Sequence, residues 1–192
     1  ICTVSIGVLK SEKIKFTPIL SNKTQKALDG IQMGLLVKIP LLFDGSRLGF
    51  TEKSFLQYDI AEKEIGRGCY FLAWPTGHDY VVGFIGGRFA WDLSKQSEDK
   101  IVEYALSKLA SLHGSNIRKH FLQGFASDWA NNPLTMGAYS AVKPGCYGAR
   151  ELLSEPIAEK LIFAGEATAG NLAGLVMVLT RAAKWQPSEY PT

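Results

Sequence analysis

Apolar residues are dense from Leu35 to Phe43, interrupted by Lys38 and bounded by Gly34 and the Asp44-Gly45 turn. A run of that length between turn residues predicts a buried strand. Lys53 to Asp59, Cys69 to Trp74 and Tyr80 to Ile85 predict further strands, with breaks at Pro75-Thr76-Gly77 and Gly86-Gly87. Ile1 to Leu9 is also β-rich. Ser21 is placed to cap a short helix over Lys23 to Asp29, stopped by Gly30. The clearest helix follows Ser97. Glu98 and Asp99 occupy its first turn, where the helix dipole favours acids. Ile101, Val102, Ala105, Leu106 and Leu109 form one apolar stripe, and Gly114 ends it. Near the end, Leu161-Ile162-Phe163-Ala164 reads as a short buried strand that stops at Gly165. A last helix is expected from Leu172 or Ala173, fading before Pro187. The order is strand, long α+β excursion, then strand–turn–helix. It predicts that both ends share one layer and the middle forms another.

Composition narrows the classes. The chain has 192 residues, 46% hydrophobic and 20% charged, which is ordinary for a globular protein. A net charge of +3 is too small and too scattered for a nucleic-acid surface. Its densest basic cluster, Arg118-Lys119-His120, reads as a solvated helix end. Cys2, Cys69 and Cys146 form no CxxC, and no HExxH is present. Neither a disulfide framework nor a zinc site is expected, which fits a reducing, cytoplasmic setting. The apolar run Leu172 to Leu179 is far short of the ~20 residues of a spanning helix. No signal peptide is expected from Ile1 onward, since no basic segment there leads into an apolar run. Ile1 to Ile6 reads as a strand already under way, so an upstream neighbour is expected to be missing.

Candidate chemistry centres on Gly165-Glu166-Ala167-Thr168. A strand running into a tight turn frees backbone N–H groups, and an acid beside them can accept hydrogen bonds from ligand hydroxyls. Many strand–helix crossovers look the same. Three further blocks change the weight of this one. They are Thr3-Val4-Ser5-Ile6-Gly7-Val8-Leu9-Lys10 with Ile14-Lys15-Phe16-Thr17-Pro18, then Met33-Gly34-Leu35-Leu36-Val37-Lys38-Ile39, then Trp129-Ala130-Asn131-Asn132-Pro133-Leu134-Thr135-Met136-Gly137-Ala138-Tyr139-Ser140. In this order the blocks resemble the flavin amine oxidases: monoamine oxidases, polyamine oxidases and flavin-type lysine demethylases.

The resemblance implies an α/β fold of α+β character. Residues 11–125 would be a mixed-sheet substrate domain; residues 1–10 and 126–192 would be a remnant of the FAD domain. It implies FAD, an amine substrate and oxidation of a C–N bond with release of hydrogen peroxide. Lys38 matches the lysine that reaches flavin N5 through a water. The alternative is that Lys38 snorkels to a surface. Trp129 matches a tryptophan near the flavin ring, with plain core packing as the alternative. Tyr139 matches one wall of the cage that orients the amine. Gly165 and Glu166 match the turn whose acid binds flavin hydroxyls. The backbone of Val176 matches the amide facing the flavin pyrimidine.

The departures are equally specific. No GxGxxG follows a strand, so the dinucleotide grip is absent from these residues. Ala138 stands where monoamine oxidases carry the cysteine bonded to flavin, which implies non-covalent FAD. Leu175 stands where the opposing cage tyrosine would be, which leans toward a polyamine-like substrate. The Leu175 to Leu179 segment lacks the family glycine. The chain alone is therefore expected not to bind FAD. The competing expectation is a catalytically inactive piece that serves as a binding or partner subunit. A homodimer is expected, through an unpaired strand at Ile1 to Leu9 and the apolar helix from Leu172 to Ala183.

Overall fold

The structure, a computed structural model, describes residues 1–57, 60, 62–158 and 160–170. The chain divides into two compact units: residues 1–34 with 131–192, and residues 35–130. The sequence reading drew its switch points at 10/11 and 125/126. The fold class is α/β with α+β character, and every named strand pair is antiparallel.

The 35–130 unit is a five-stranded sheet with two helices. Its strands are β2 (Leu36–Phe43), β3 (Phe55–Leu56), β4 (Tyr70–Ala73), β5 (Tyr80–Gly86) and β6 (Phe121–Gly124), in the order β3-β4-β5-β2-β6. β2 lies between β5 and β6 and alternates in burial. Val37, Ile39, Leu41 and Phe43 point into the core, and Lys38 faces out. Period-two alternation is what one packed sheet face produces. The helices are α3 (Gly87–Leu93) and α4 (Glu98–His113). α4 buries the stripe Ile101, Val102, Ala105, Leu106 and Leu109, in one cluster with Val37, Ile39, Leu41, Phe43, Phe71 and Ile85.

The other unit is smaller in its elements. It holds α1 (Ile6–Lys10), α2 (Asn22–Asp29), β1 (Ile31–Gly34), β7 (Tyr139–Val142) and α5 (Ala149–Leu153). β1 pairs with β7. Ile6, Leu9, Ala27, Leu28, Ile31, Ala149, Leu153 and Phe163 make its core. Residues 161–164 meet the chain start through a parallel bridge. The Cys2 N–H donates to the Ile162 carbonyl at 2.7 Å, and the Ala164 N–H donates to Cys2 at 2.9 Å.

Several sequence expectations are corrected. Ile1 to Leu9 is not a strand; Ile6–Lys10 is helical. Ser5 caps that helix by accepting the Val8 N–H at 3.1 Å, so its β-branched pattern yields to a capping residue. The strand-edge argument for a homodimer loses its premise, because Cys2 is already paired. The strand expected over Lys53 to Asp59 is only Phe55–Leu56 among the described residues. The break expected at Gly86-Gly87 does end β5, and α3 follows without a loop: Gly87 takes φ +68° and the chain turns directly into a helix. α4 begins where Ser97 predicts, yet the Ser97 hydroxyl makes no capping bond; Glu98 accepts the Ala126 N–H at 2.9 Å. The expected last helix, with Leu175 and Val176, lies outside the described residues. Among the described residues no helix is long and apolar enough to cross a membrane.

Leu109 is fully buried where α4 meets the sheet. Leu109→Ala is expected to cost about 2–5 kcal/mol, as large-to-small core changes do. Denaturant unfolding followed by circular dichroism checks this, and a cost under about 1 kcal/mol would contradict the packing described.

Candidate functional site

In the 35–130 unit the site residues are Lys38 and Trp129. The Lys38 N–H donates to Ser127 Oγ at 2.9 Å, and its carbonyl accepts the Ser127 N–H at 2.9 Å. Both backbone groups therefore point toward the β6 side. On the β5 side Lys38 stands opposite Phe84 as a non-hydrogen-bonded pair, the closer kind for side chains. Tyr70 of β4 stands next in the same row. One row along, Pro40, Val82 and Leu72 lie side by side. Lys38 thus sits on an outward sheet face among apolar neighbours. Its ammonium makes no hydrogen bond or ion pair among the described residues. The strand expected to be buried throughout alternates instead, and the alternation carries Lys38 away from the core. Trp129 follows Ser127 by two residues and is 44% exposed, so it is not a core residue.

In the other unit Tyr139, Gly165 and Glu166 come together on one framework. After the bridge at Phe163, Gly165 takes φ +119°, a backbone state that favours glycine. Its carbonyl accepts the Thr168 N–H at 3.2 Å and the Thr168 hydroxyl at 3.0 Å. That turn sends Glu166 toward β7. Glu166 Oε1 accepts the Ser140 N–H at 3.2 Å and the Ser140 hydroxyl at 2.9 Å; Oε2 accepts the same N–H at 3.1 Å. Oε2 has acceptor capacity to spare. The N–H groups of Glu166 and Ala167 donate to no described residue. A partly exposed carboxylate with acceptor capacity to spare, on a turn whose next N–H groups donate to no described residue, suits a ligand rich in hydroxyls. Phosphates would need a glycine-rich loop, and none follows a strand here.

Tyr139 lies on β7 opposite Gly34, and the Ala138 N–H donates to the Gly34 carbonyl at 2.9 Å. A Cβ on Gly34 would sit 2.7 Å from the Tyr139 ring. The glycine in the Met33-Gly34 block is therefore what lets the ring lie across β1. Gly7, in the first block, has the same kind of reason: a Cβ there would lie 2.6 Å from the Met136 carbonyl oxygen. Two residues escaped the sequence reading. Ser140 holds Glu166, and Arg150, 7% exposed, holds Ser140. A lone arginine between Ala149 and Glu151 carries no sequence signal of burial. Leu175 and Val176 lie outside the described residues. Among the described residues no group of three His, Cys, Asp or Glu could hold a metal ion.

Comparison with known proteins gives the chain its family. The family model described as flavin containing amine oxidoreductase matches residues 1–177, and the chain belongs to that family. Lysine-specific histone demethylase 1 homolog 2 of Arabidopsis thaliana is 32% identical over 175 residues, covering 88% of this chain and 23% of that protein. Polyamine oxidase 2 of the same plant is 32% identical over 180 residues, covering 92% of this chain and 35% of that protein. Possible lysine-specific histone demethylase 1 of Drosophila melanogaster is 28% identical over 198 residues, covering 92% of this chain and 22% of that protein. The chain thus spans roughly a third or less of these relatives. Intact members of the family use FAD.

Gly34→Ala should push the Tyr139 ring aside at a cost of about 1–3 kcal/mol, the usual range for overpacking. Tyrosine ring resonances report the displacement and thermal unfolding reports the cost. An unmoved ring at unchanged stability would contradict the contact.

Proposed function

We propose that this chain is the substrate-domain and flavin-edge portion of an FAD-dependent amine oxidase. The observation that carries the reading is the Glu166 turn: an acid fixed by Ser140, with acceptor capacity to spare on Oε2 and two backbone N–H groups that donate to no described residue. When bound, the flavin would take a hydride from the carbon beside the amine nitrogen, and water and oxygen would then give the carbonyl product and hydrogen peroxide. The protein's share is positioning and electrostatics. Glu166 accepts hydrogen bonds from the cofactor's hydroxyls and Gly165 shapes the turn. By the family resemblance, Tyr139 would be the aromatic wall that orients the neutral amine; Leu175 and Val176, which the resemblance assigns to the opposing wall and the flavin-edge amide, lie outside the described residues. Trp129 would serve the flavin ring. Lys38 would hold a water by its ammonium, which makes no hydrogen bond or ion pair among the described residues.

The resemblance gives residues 11–125 to the substrate domain and 1–10 with 126–192 to the flavin domain, each lending residues to the other's ligand. The amine remains a polyamine-like or apolar one. Leu175 in place of a second cage aromatic favours the former, and the Phe84, Tyr70 and Val82 neighbours of Lys38 favour the latter.

Three measurements test the reading. FAD titrated into the chain alone, followed by fluorescence quenching, should show no saturable binding at micromolar concentration, because the dinucleotide grip is not among these residues. One-to-one binding would contradict that. Fused to the dinucleotide-binding segment of a polyamine oxidase, the chain should take up flavin non-covalently, since Ala138 offers no thiol. Acid precipitation should leave the yellow colour in the supernatant, and a yellow pellet would overturn the assignment.

In that fusion Lys38→Met should slow flavin reduction or reoxidation about tenfold or more with little loss of FAD, in keeping with the usual weight of one positioned polar group. Lys38 is exposed, so the fold should survive the change. Stopped-flow rates equal to wild type would refute its role. A chain that acts as an inactive binding subunit is the second reading, and a fusion that takes up flavin yet oxidises no amine would favour it.

A further inference from the structure

Arg150 is a charge in a costly place. It is 7% exposed on α5, and its guanidinium hydrogen-bonds to no carboxylate among the described residues. Its Nη1 donates to Ser140 Oγ at 2.7 Å, to the Ala167 carbonyl at 2.9 Å and to the Glu166 carbonyl at 3.4 Å. Its Nη2 donates to the Ser140 carbonyl at 3.0 Å. A buried cation is stable only when its donors are matched and a counter-charge is near. The counter-charge within reach is Glu166, one hydroxyl away.

The chemistry fixes the direction of that link. A guanidinium has donors and no acceptor, so Ser140 Oγ must accept from Arg150. An ionised carboxylate only accepts, so the hydroxyl proton must go to Glu166 Oε1, 2.9 Å away. The hydroxyl rotor has one satisfied setting, and the three groups polarise one another in series. Oε1 is thereby filled twice. Oε2 is left with one shared N–H and room for a ligand donor.

We propose that Arg150 is a positioning residue: acting through the Ser140 hydroxyl, it aims Glu166 so that Oε2 faces the ligand. The identity of that ligand, a flavin hydroxyl, rests on the reading given under the proposed function. A plain staple, in which Arg150 only ties α5 to β7 and the 165–168 turn, needs the carbonyl bonds and not the hydroxyl.

Ser140→Ala separates the two. It keeps the Ser140, Glu166 and Ala167 carbonyls for Arg150 and cuts the relay alone. The measurement is nuclear magnetic resonance on the 192-residue chain labelled at glutamate carboxyl carbons and backbone amides. In Ser140→Ala and Arg150→Met the Glu166 carboxyl signal should move, and the Thr168 and Ala169 amides should exchange about tenfold faster. Amides of β2 should stay as in wild type. Arg150→Lys keeps a charge but not the two-pronged donor set, and should restore the signal only in part. A folded Ser140→Ala with a wild-type Glu166 signal would overturn the proposal, and so would full rescue by lysine. If Arg150→Met does not fold, Ser140→Ala decides. No flavin is needed, so an intact relay in a protein that never takes FAD would sink the functional reading alone.

Discussion

The alternation of β2 is the constraint on which the 35–130 unit rests. With β5 on one side and β6 on the other, the strand can satisfy its backbone only in one register, and only one face meets the helices. Val37, Ile39, Leu41 and Phe43 take that face, and Lys38 is forced onto the other. A shift by one residue would bury the ammonium and expose four core side chains, so the hydrophobic effect itself fixes where the lysine points. Function then inherits a position set by packing. The segment that extends β6 binds the Lys38 backbone through Ser127, and the same segment carries Trp129 two residues on.

The other unit works by polar constraint. A bridge of two hydrogen bonds between Cys2 and residues 162–164 delivers the chain to Gly165, whose positive φ reverses it. Glu166 then meets Ser140, and Arg150 closes the set from α5. Each group is matched, and no buried side-chain nitrogen or oxygen lacks a hydrogen-bond partner among the described residues. Matched buried networks are rigid in a way that an apolar patch is not. Rigidity is what a site needs when the cofactor does the chemistry and the protein supplies orientation.

Much of this was legible in the sequence because it depends on short periodicities. The α4 stripe, the Ser21 cap of α2 and the β2 run all follow local rules, and the structure keeps them. Glu166 was legible because a turn glycine and an acid follow a short apolar run, although that run forms isolated bridges at Leu161 and Phe163 rather than the expected strand. What escaped was set by distant partners. Ile1 to Leu9 carries a β-rich pattern, yet Ser5 caps a helix there, and Gly7 must fit against Met136. The dense apolar run hides the alternation of β2, which turns Lys38 outward. Arg150 gave no sign at all, since its burial depends on Ser140 and the 166–167 carbonyls brought in by the fold.

The proposed role of the Glu166 turn is to hold a flavin hydroxyl. A crystal structure of this chain joined to a dinucleotide-binding segment and loaded with FAD tests it most directly. The predicted result is a flavin hydroxyl within hydrogen-bond distance of Glu166 Oε2. A flavin seated away from Glu166 would contradict it.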